Sequence, residues 1–411
     1  MSDSRSIFVL TTDFKPMTGG VAEYLHQLWN NVARNCPVTI LSAAEPNGSN
    51  WEHNYRFEQL PPLPRRHLGE RFGDVLMPLR KMNTFRYFIE FRRYARTTVE
   101  GIRKQVPSCE AYVGIWDVAS HFWCEELYSA GIPYSLHVHG LDLIVPLYGR
   151  LPEWRHSDFR KAKAIYANSS ATAELVRNKW KDHLDVSIVY PGVGPKPDLS
   201  GTMAMVTRLK SELDLYGGPI LLTVARLVRR KGIDLVLRCI PGLIPNHPGL
   251  RYVVVGEGPE KGRLQQLTRE LDISQHVRFL GNVEDVKKWA FYEMCDVFVL
   301  PNRRCEGRDW EGFGIVFMEA ALSGKPAIGG KNGGVPEAIE DGVTGILVDP
   351  ERESSISDAL HLLLNNAELR SNIGFQARER AVTKFSWSVI ATSFWEHLPS
   401  SVSDDNKGAP R

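Results

Sequence analysis

The 411-residue chain contains no Asp-x-Asp and no Cys-x-x-Cys. The first absence removes the commonest carboxylate pair for holding a divalent cation on a phosphorylated ligand. The second, with the irregular spacing of the six cysteines at 36, 109, 124, 239, 295 and 305, points to reduced, buried thiols and against a disulfide framework. Long apolar runs are also missing. No segment approaches the roughly 20 apolar residues that span a bilayer, and MSDSRSIFVLTTDF has far too short an apolar run for a signal peptide. A cytoplasmic protein is expected, peripheral to the inner face of the membrane at most. Net charge is low, at +2, which argues against a nucleic-acid binder. There is no internal repeat and no low-complexity run.

What the chain does have is enough length for two cores, so two domains of roughly 200 residues are expected. IFVLT (7–11) reads as a short buried strand, followed by a glycine loop. A helix comes next, with Val21, Tyr24, Leu25, Leu28, Trp29, Val32 and Ala33 on one face, and then the strand VTILSA. That order is a βαβ unit of a parallel sheet. AYVGIWD, PYSLHVHG and AIYANS continue it. Prolines and glycines cluster in YPGVGPKPDLSG (190–201), and from Gly218 the alternation restarts with PILLTVAR, RYVVVGEG, VRFLG, VFVLP, PAIGG and TGILVD. The expected fold is α/β: two doubly wound, Rossmann-like parallel-sheet domains facing across a cleft at their carboxyl edges. Residues 1–195 would form the first domain, 196–217 a linker and 218–385 the second domain. Residues 386–398 would form a helix able to pack back on the first domain, and 399–411 a disordered tail.

One local charge excess stands out. Between Pro64 and Lys104 there are eleven Lys/Arg against four Asp/Glu, interleaved with Phe85, Tyr87, Phe88, Phe91 and Tyr94. This segment reads either as a solvated helix face covering a core or as a contact with an anionic membrane or acidic acceptor.

The chemistry gathers at strand ends. EGFGIVFMEA (311–320) sets two glutamates about 80° apart if wholly helical, a poor shared face. Gly312 and Gly314 instead place Glu311 in a loop and start a helix near Gly314, running to the stop signal LSGKP. The two acids then bracket a helix N-terminus, which is an anion site, with Glu319 roughly 7 to 8 Å along the axis. In RLVRRKG (226–232), Arg226 and Lys231 leave the end of PILLTVAR and face the cleft, while Arg229 and Arg230 read as surface charge. Gly19 and Gly20, before the first helix, let backbone approach a ligand, although a plain tight turn is an equal reading.

A diphosphate carries about two to three negative charges. Arg226 and Lys231 supply two positive ones, and the helix N-termini near 20 and 314 about half a charge each, so the balance closes without a metal. Hydroxylated groups on both sides of a diphosphate describe a sugar nucleotide. Glu319 would take ribose hydroxyls and Glu311 the sugar; the bland alternative makes Glu319 a helical acid with a structural partner. In HVHGLD (137–142), His137 and His139 share a strand face. His137 fits the core and His139, before Gly140, the cleft; a metal pair would lack a third nearby ligand other than Asp142. GEGPEKG (256–262) is spaced G-x-G-x-x-x-G and is no dinucleotide fingerprint, and GGKNGG (329–334) lacks the ending of a phosphate loop.

With these residues assembled, the chain resembles the family 4 retaining glycosyltransferases of GT-B fold, over nearly its whole length. EGFGIVFMEA is similar to the family's paired-glutamate signature, GGVPEAI to its sequel and RLVRRKG to its Arg and Lys clamp. VVVGEGP is similar to the family's second-strand loop, PMTGGVAEYL to its N-terminal glycine loop and HVHGLD to its catalytic-histidine segment. LTTDFKPMTGG and PNRRCEGRDWEGFG look most like the bacterial phosphatidylinositol-mannoside mannosyltransferase branch. YPGVGP departs from the family's usual Pro-Asn-Gly-Val.

The resemblance implies hexose transfer with retention from a nucleoside-diphosphate sugar, GDP-mannose or a UDP-hexose, to a glycan, lipid-linked or small-molecule hydroxyl. No cofactor or metal would be required. Arg226 and Lys231 would hold the diphosphate, assisted by backbone amides of Gly20 and of Phe313, Gly314 and Ile315. Glu311 would meet the sugar's 3- and 4-hydroxyls, and His139 its 6-hydroxyl and reacting centre. A sugar-nucleotide epimerase or a non-catalytic sugar-nucleotide sensor are the rival classes.

Overall fold

The computed structural model describes residues 6–15, 19–43, 53–62, 77–106, 109–144, 156–180, 184–197, 202–305 and 311–398. The first sheet contains β1 (Ile7–Thr11), β2 (Val38–Ser42), β3 (Arg56–Gln59), β4 (Glu110–Val113), β5 (Tyr134–Val138), β6 (Ala164–Ala167) and β7 (Val186–Ile188). Its spatial order is β3-β2-β1-β4-β5-β6-β7, parallel throughout. The second sheet contains β8 (Ile220–Val224), β9 (Arg251–Val255), β10 (Val277–Gly281), β11 (Val297–Leu300), β12 (Ala327–Gly330) and β13 (Gly345–Val348). Its order is β10-β9-β8-β11-β12-β13, again parallel.

Near-continuous apolar strands such as IFVLT and VFVL are buried at every position, because helices cover both sheet faces. The two strands with no counterpart among the sequence expectations, β3 and β7, both lie at sheet edges. RFEQ is half-exposed and VSI has only three residues, so neither carries enough periodic signal to be read.

In each sheet the strand order reverses at one place, between β1 and β4 and between β8 and β11. Connections there leave toward opposite faces, so a crevice opens at the carboxyl ends of these strands. The residues that follow β1, β8 and β11 therefore line the cleft.

Part of the stretch expected as a linker is ordered. Thr202–Glu212 is a helix, and Leu209 and Leu215 are buried with Trp289 and Phe291 against the second sheet. Near the end of the chain, helix Trp387–Glu396 lays its aromatic face on the first domain. The Phe394 ring sits 5.7 Å from that of Trp29 and 5.0 Å from that of Tyr166, and Trp387 lies 5.6 Å from Tyr24. The expected tail, 399–411, lies outside the described residues.

The basic, aromatic segment forms helix Met77–Gln105, while 64–76 lies outside the described residues. Phe91, Ala95, Val99 and Ile102 recur at helical spacing and are buried against the first sheet. Flanking them, Arg92 and Arg96 reach Glu126 at 3.5 and 3.4 Å. Among the described residues no helix is long and apolar enough to cross a membrane.

Candidate active site

The chain leaves β8 through Arg226, which is exposed, and turns through a 3-10 helix, Arg229–Lys231. Gly232 follows in the left-handed region at φ 68°, where any Cβ would run into the Pro301 carbonyl. This turn drives Lys231 inward. Its ammonium Nζ lies 2.5 Å from Glu311 Oε2, and that same oxygen accepts from Arg230 Nη1 at 3.0 Å and from Asn302 Nδ2 at 2.7 Å.

The expectation that Arg230 is surface charge is therefore corrected. Its side chain is only 16% exposed, because the tight turn carries it round to the same carboxylate as Lys231. Asn302 was not foreseen either. It is the second residue past β11, at the switch point, and its place after the strand was the available signal.

Burial alone would raise the Glu311 carboxyl, but the Lys231 ammonium and then the Arg230 guanidinium outweigh it and hold it below its ordinary value. Burial depresses the Lys231 ammonium, with Glu311 opposing. The site thus holds a charged carboxylate shared by two largely buried cations.

Helix Ile315–Leu322 begins immediately beyond. Gly314 is its N-cap at φ 89°, and no side chain caps it. Its N-terminus accordingly keeps backbone N–H groups available to an anion. The Phe313 side chain is buried, with its ring 5.6 Å from those of Tyr190 and Phe385, so this residue can offer a ligand only its backbone.

Glu319 lies on the second turn of the helix. Its Oε1 accepts from Lys288 Nζ and its Oε2 from the Tyr292 hydroxyl, both at 2.8 Å. Glu319 therefore has the structural partners of the bland reading. A carboxylate has about four acceptor positions, so two bonds leave room for two more. Sequence reasoning missed Lys288 and Tyr292 because they come from the separate helix Asp285–Met294 and carry no motif.

On the first domain, Gly19 is the N-cap of helix Gly20–Val32, in extended conformation at φ 172°. A Cβ at either Gly19 or Gly20 would meet nothing within 4 Å, so packing does not demand glycine there. Thr18 lies outside the described residues.

His139 follows β5 and is 8% exposed. Its Nε2 donates to the Gly114 carbonyl at 2.9 Å, which fixes the orientation of the ring. Its backbone N–H donates to both oxygens of the Asp142 carboxylate at 3.0 Å, which fixes the turn. His137 is a core residue. It packs among Tyr24, Trp29, Tyr112, Tyr166 and Phe394, and burial pushes its ring down to about 3. Among the described residues no group of three or more His, Cys, Asp or Glu could hold a metal ion.

The two halves meet at Gly312. A Cβ there would lie 2.6 Å from the His139 carbonyl oxygen and 2.7 Å from Asn168 Nδ2. The structure thus brings His139 beside the loop of Glu311, Lys231, Arg230 and Asn302. It adds no bond from Gly19, Gly20 or Arg226 to that network.

Residues 207–380 match the family described as "Glycosyl transferases group 1". That match spans most of the second domain, which is thus similar to the domain shared by that family. A GDP-mannose-dependent alpha-(1-6)-phosphatidylinositol monomannoside mannosyltransferase of Mycobacterium tuberculosis is 34% identical over 234 residues, 56% of this chain and 60% of that enzyme. The chain thus matches less than two thirds of that relative's length. A GDP-mannose-dependent monoacylated alpha-(1-6)-phosphatidylinositol monomannoside mannosyltransferase of Corynebacterium glutamicum aligns over 97% of this chain and 99% of its own, at 25% identity. The whole two-domain frame is shared with sucrose-phosphate synthase of Thermosynechococcus elongatus. There the TM-score is 0.71 at 20% identity, covering 95% of this chain and 98% of the other.

Proposed function

We propose that the protein transfers a hexose, with retention and without a metal, from GDP-mannose to a hydroxyl of a phosphoinositide-type lipid acceptor. The observation that carries this reading is the pairing of Glu311 with Lys231, Arg230 and Asn302 at the foot of an uncapped helix, opposite His139. Lys231, Arg226 and the backbone N–H groups of Gly20 and of Phe313, Gly314 and Ile315 bind the diphosphate. Glu319, oriented by Lys288 and Tyr292, takes the ribose hydroxyls. Glu311 takes the sugar's hydroxyls, and His139 meets its far side. The donor is taken from the names of the two mannosyltransferases, and the acceptor class from the same names.

In the reaction the bond from C1 to the phosphate oxygen breaks, and its electron pair leaves with the diphosphate. The acceptor oxygen bonds to C1 on the same face, and its proton passes to the departing phosphate. Fixed positive groups stabilise the charge growing on that phosphate, which is preorganised electrostatic stabilisation. No dedicated side-chain base is needed.

The acceptor side has a cavity of about 450 Å³ lined by Leu41, Leu60, Pro61, Tyr94, Thr98 and Ile102, roomy enough for part of an acyl chain. One wall is the basic helix Met77–Gln105, whose Arg93 and Glu90 line the cavity together with Glu58.

The test is release of GDP from GDP-mannose with and without a phosphoinositide acceptor on anionic vesicles, followed by the anomeric configuration of the product. The expected result is acceptor-dependent release, an α-linked product, no loss in chelator and a rate that falls as salt rises. An altered donor in place of GDP would indicate an epimerase, and binding with no release a sensor. A β-linked product would overturn retention, loss of activity in chelator the metal independence, and salt-independent rates the membrane contact.

A further inference from the structure

The helix Ser170–Trp180 belongs to the first domain, yet its N-terminus is completed by the second. Ser169 serves the third amide: its Oγ accepts from Thr172 N–H at 3.0 Å. The first two amides turn outward. Ser170 N–H donates to Glu337 Oε2 at 2.7 Å and Ala171 N–H to Glu337 Oε1 at 3.1 Å. A carboxylate spanning two amides at the positive end of a helix makes charge-assisted bonds in a favourable field.

Glu337 sits in the short helix Val335–Ala338, which is held from behind. Arg380 Nη2 donates to the Glu337 carbonyl at 2.8 Å, and Nη1 to that of Ala338 at 2.9 Å. Three residues earlier, Gly334 N–H donates to the Glu311 carbonyl at 2.9 Å. Gly333, at φ 58°, passes so close to that carbonyl that a Cβ would run into it. One short rigid stretch therefore grips the backbone of Glu311 at one end and the first domain at the other. The bonds exist only while residues 168–171 lie against 312–337, which is the arrangement that sets Gly312 against His139.

We propose that Glu337 is a positioning residue that couples the Glu311 loop to the first domain, by capping helix Ser170–Trp180 across the domain boundary. Separation of the domains would strip two amides of their acceptor, so the cap favours the closed cleft in which His139 and Glu311 face one sugar. Only the kinetic arm of this inference rests on the transfer reading.

Full-length Glu337→Ala, Glu337→Gln, Ser170→Pro and the double variant Glu337→Ala/Ser170→Pro test it. Proline at the first helical position removes the N–H that bonds at 2.7 Å without breaking the helix. Amide hydrogen exchange at Ala171 is expected to rise about tenfold in Glu337→Ala, as loss of a charge-assisted bond implies. kcat for mannosyl transfer falls about tenfold in the same variant, while calorimetric GDP affinity changes less than about threefold. Glu337→Gln, which keeps one oxygen for the amides, falls between. The double variant loses no more than Glu337→Ala, because that substitution already removes the bond that Ser170→Pro deletes.

Wild-type exchange and kcat in Glu337→Ala would overturn the proposal. So would additive losses in the double variant, or GDP affinity falling in step with kcat, which would mark Glu337 as a support of the second domain alone. Faster exchange at Ala171 in a protein that shows no transfer even as wild type would keep the interdomain cap and reject the transfer reading.

Discussion

Lys231→Ala is expected to lower mannosyl transfer about 10²- to 10³-fold, the usual cost of removing one preorganised charge partner of a leaving group, about 3 to 4 kcal/mol. Lys231 is placed for this by construction. The Gly232 turn forces it inward, and Glu311 holds its ammonium at 2.5 Å, so the charge is oriented before any ligand arrives. The fold should survive, because Glu311 keeps Arg230 and Asn302. Circular dichroism and steady-state kinetics on the purified variant check both parts. Wild-type turnover in a folded Lys231→Ala protein would remove the lysine from the reaction.

Glu311→Gln separates sugar recognition from diphosphate binding. The amide preserves shape but removes the charge shared by Lys231 and Arg230. Turnover is expected to fall about 100-fold, with GDP affinity within about threefold because GDP carries no hexose for Glu311 to bind. A pH effect accompanies it. Burial already holds the Lys231 ammonium below its ordinary value, and Glu311 partly restores it. Loss of the carboxylate lowers it further, so the ammonium gives up its proton at a lower pH. The alkaline limb of kcat should accordingly move to lower pH than in the unmodified protein, as measured by a pH–rate profile. An unmoved limb would mean that the titration belongs to another group.

How far the sequence foretold this site depends on what kind of signal each residue carries. EGFGIVFMEA was legible because glycine punctuation fixes a helix start, and the helix does begin at Ile315 with Gly314 as its cap. The alternation of apolar strands with amphipathic helices was legible for the same local reason, and it yields the two parallel sheets. Arg230 was misread because a charged residue in a run of charges has no local mark of burial; only the three-dimensional turn into Gly232 brings it to Glu311. Lys288 and Tyr292 were invisible because they reach Glu319 from a helix about thirty residues away in sequence, through packing between helices. Glu337 lay inside a motif, GGVPEAI, that was noticed only as a sequel to the glutamate pair. Its amide partners are 166 and 167 residues distant, and nothing in local spacing points to them.

The central claim is that Glu311 and Glu319 measure a ligand, one at the sugar end and one at the ribose end of a diphosphate. The most direct measurement is a crystal structure of the protein with GDP-mannose or its unreactive analogue bound. The account predicts ribose hydroxyls on Glu319, the diphosphate between Lys231, Arg226 and the N–H groups at Gly314, and the hexose between Glu311 and His139. A nucleotide whose ribose avoids Glu319, or whose diphosphate lies away from Lys231, would contradict it.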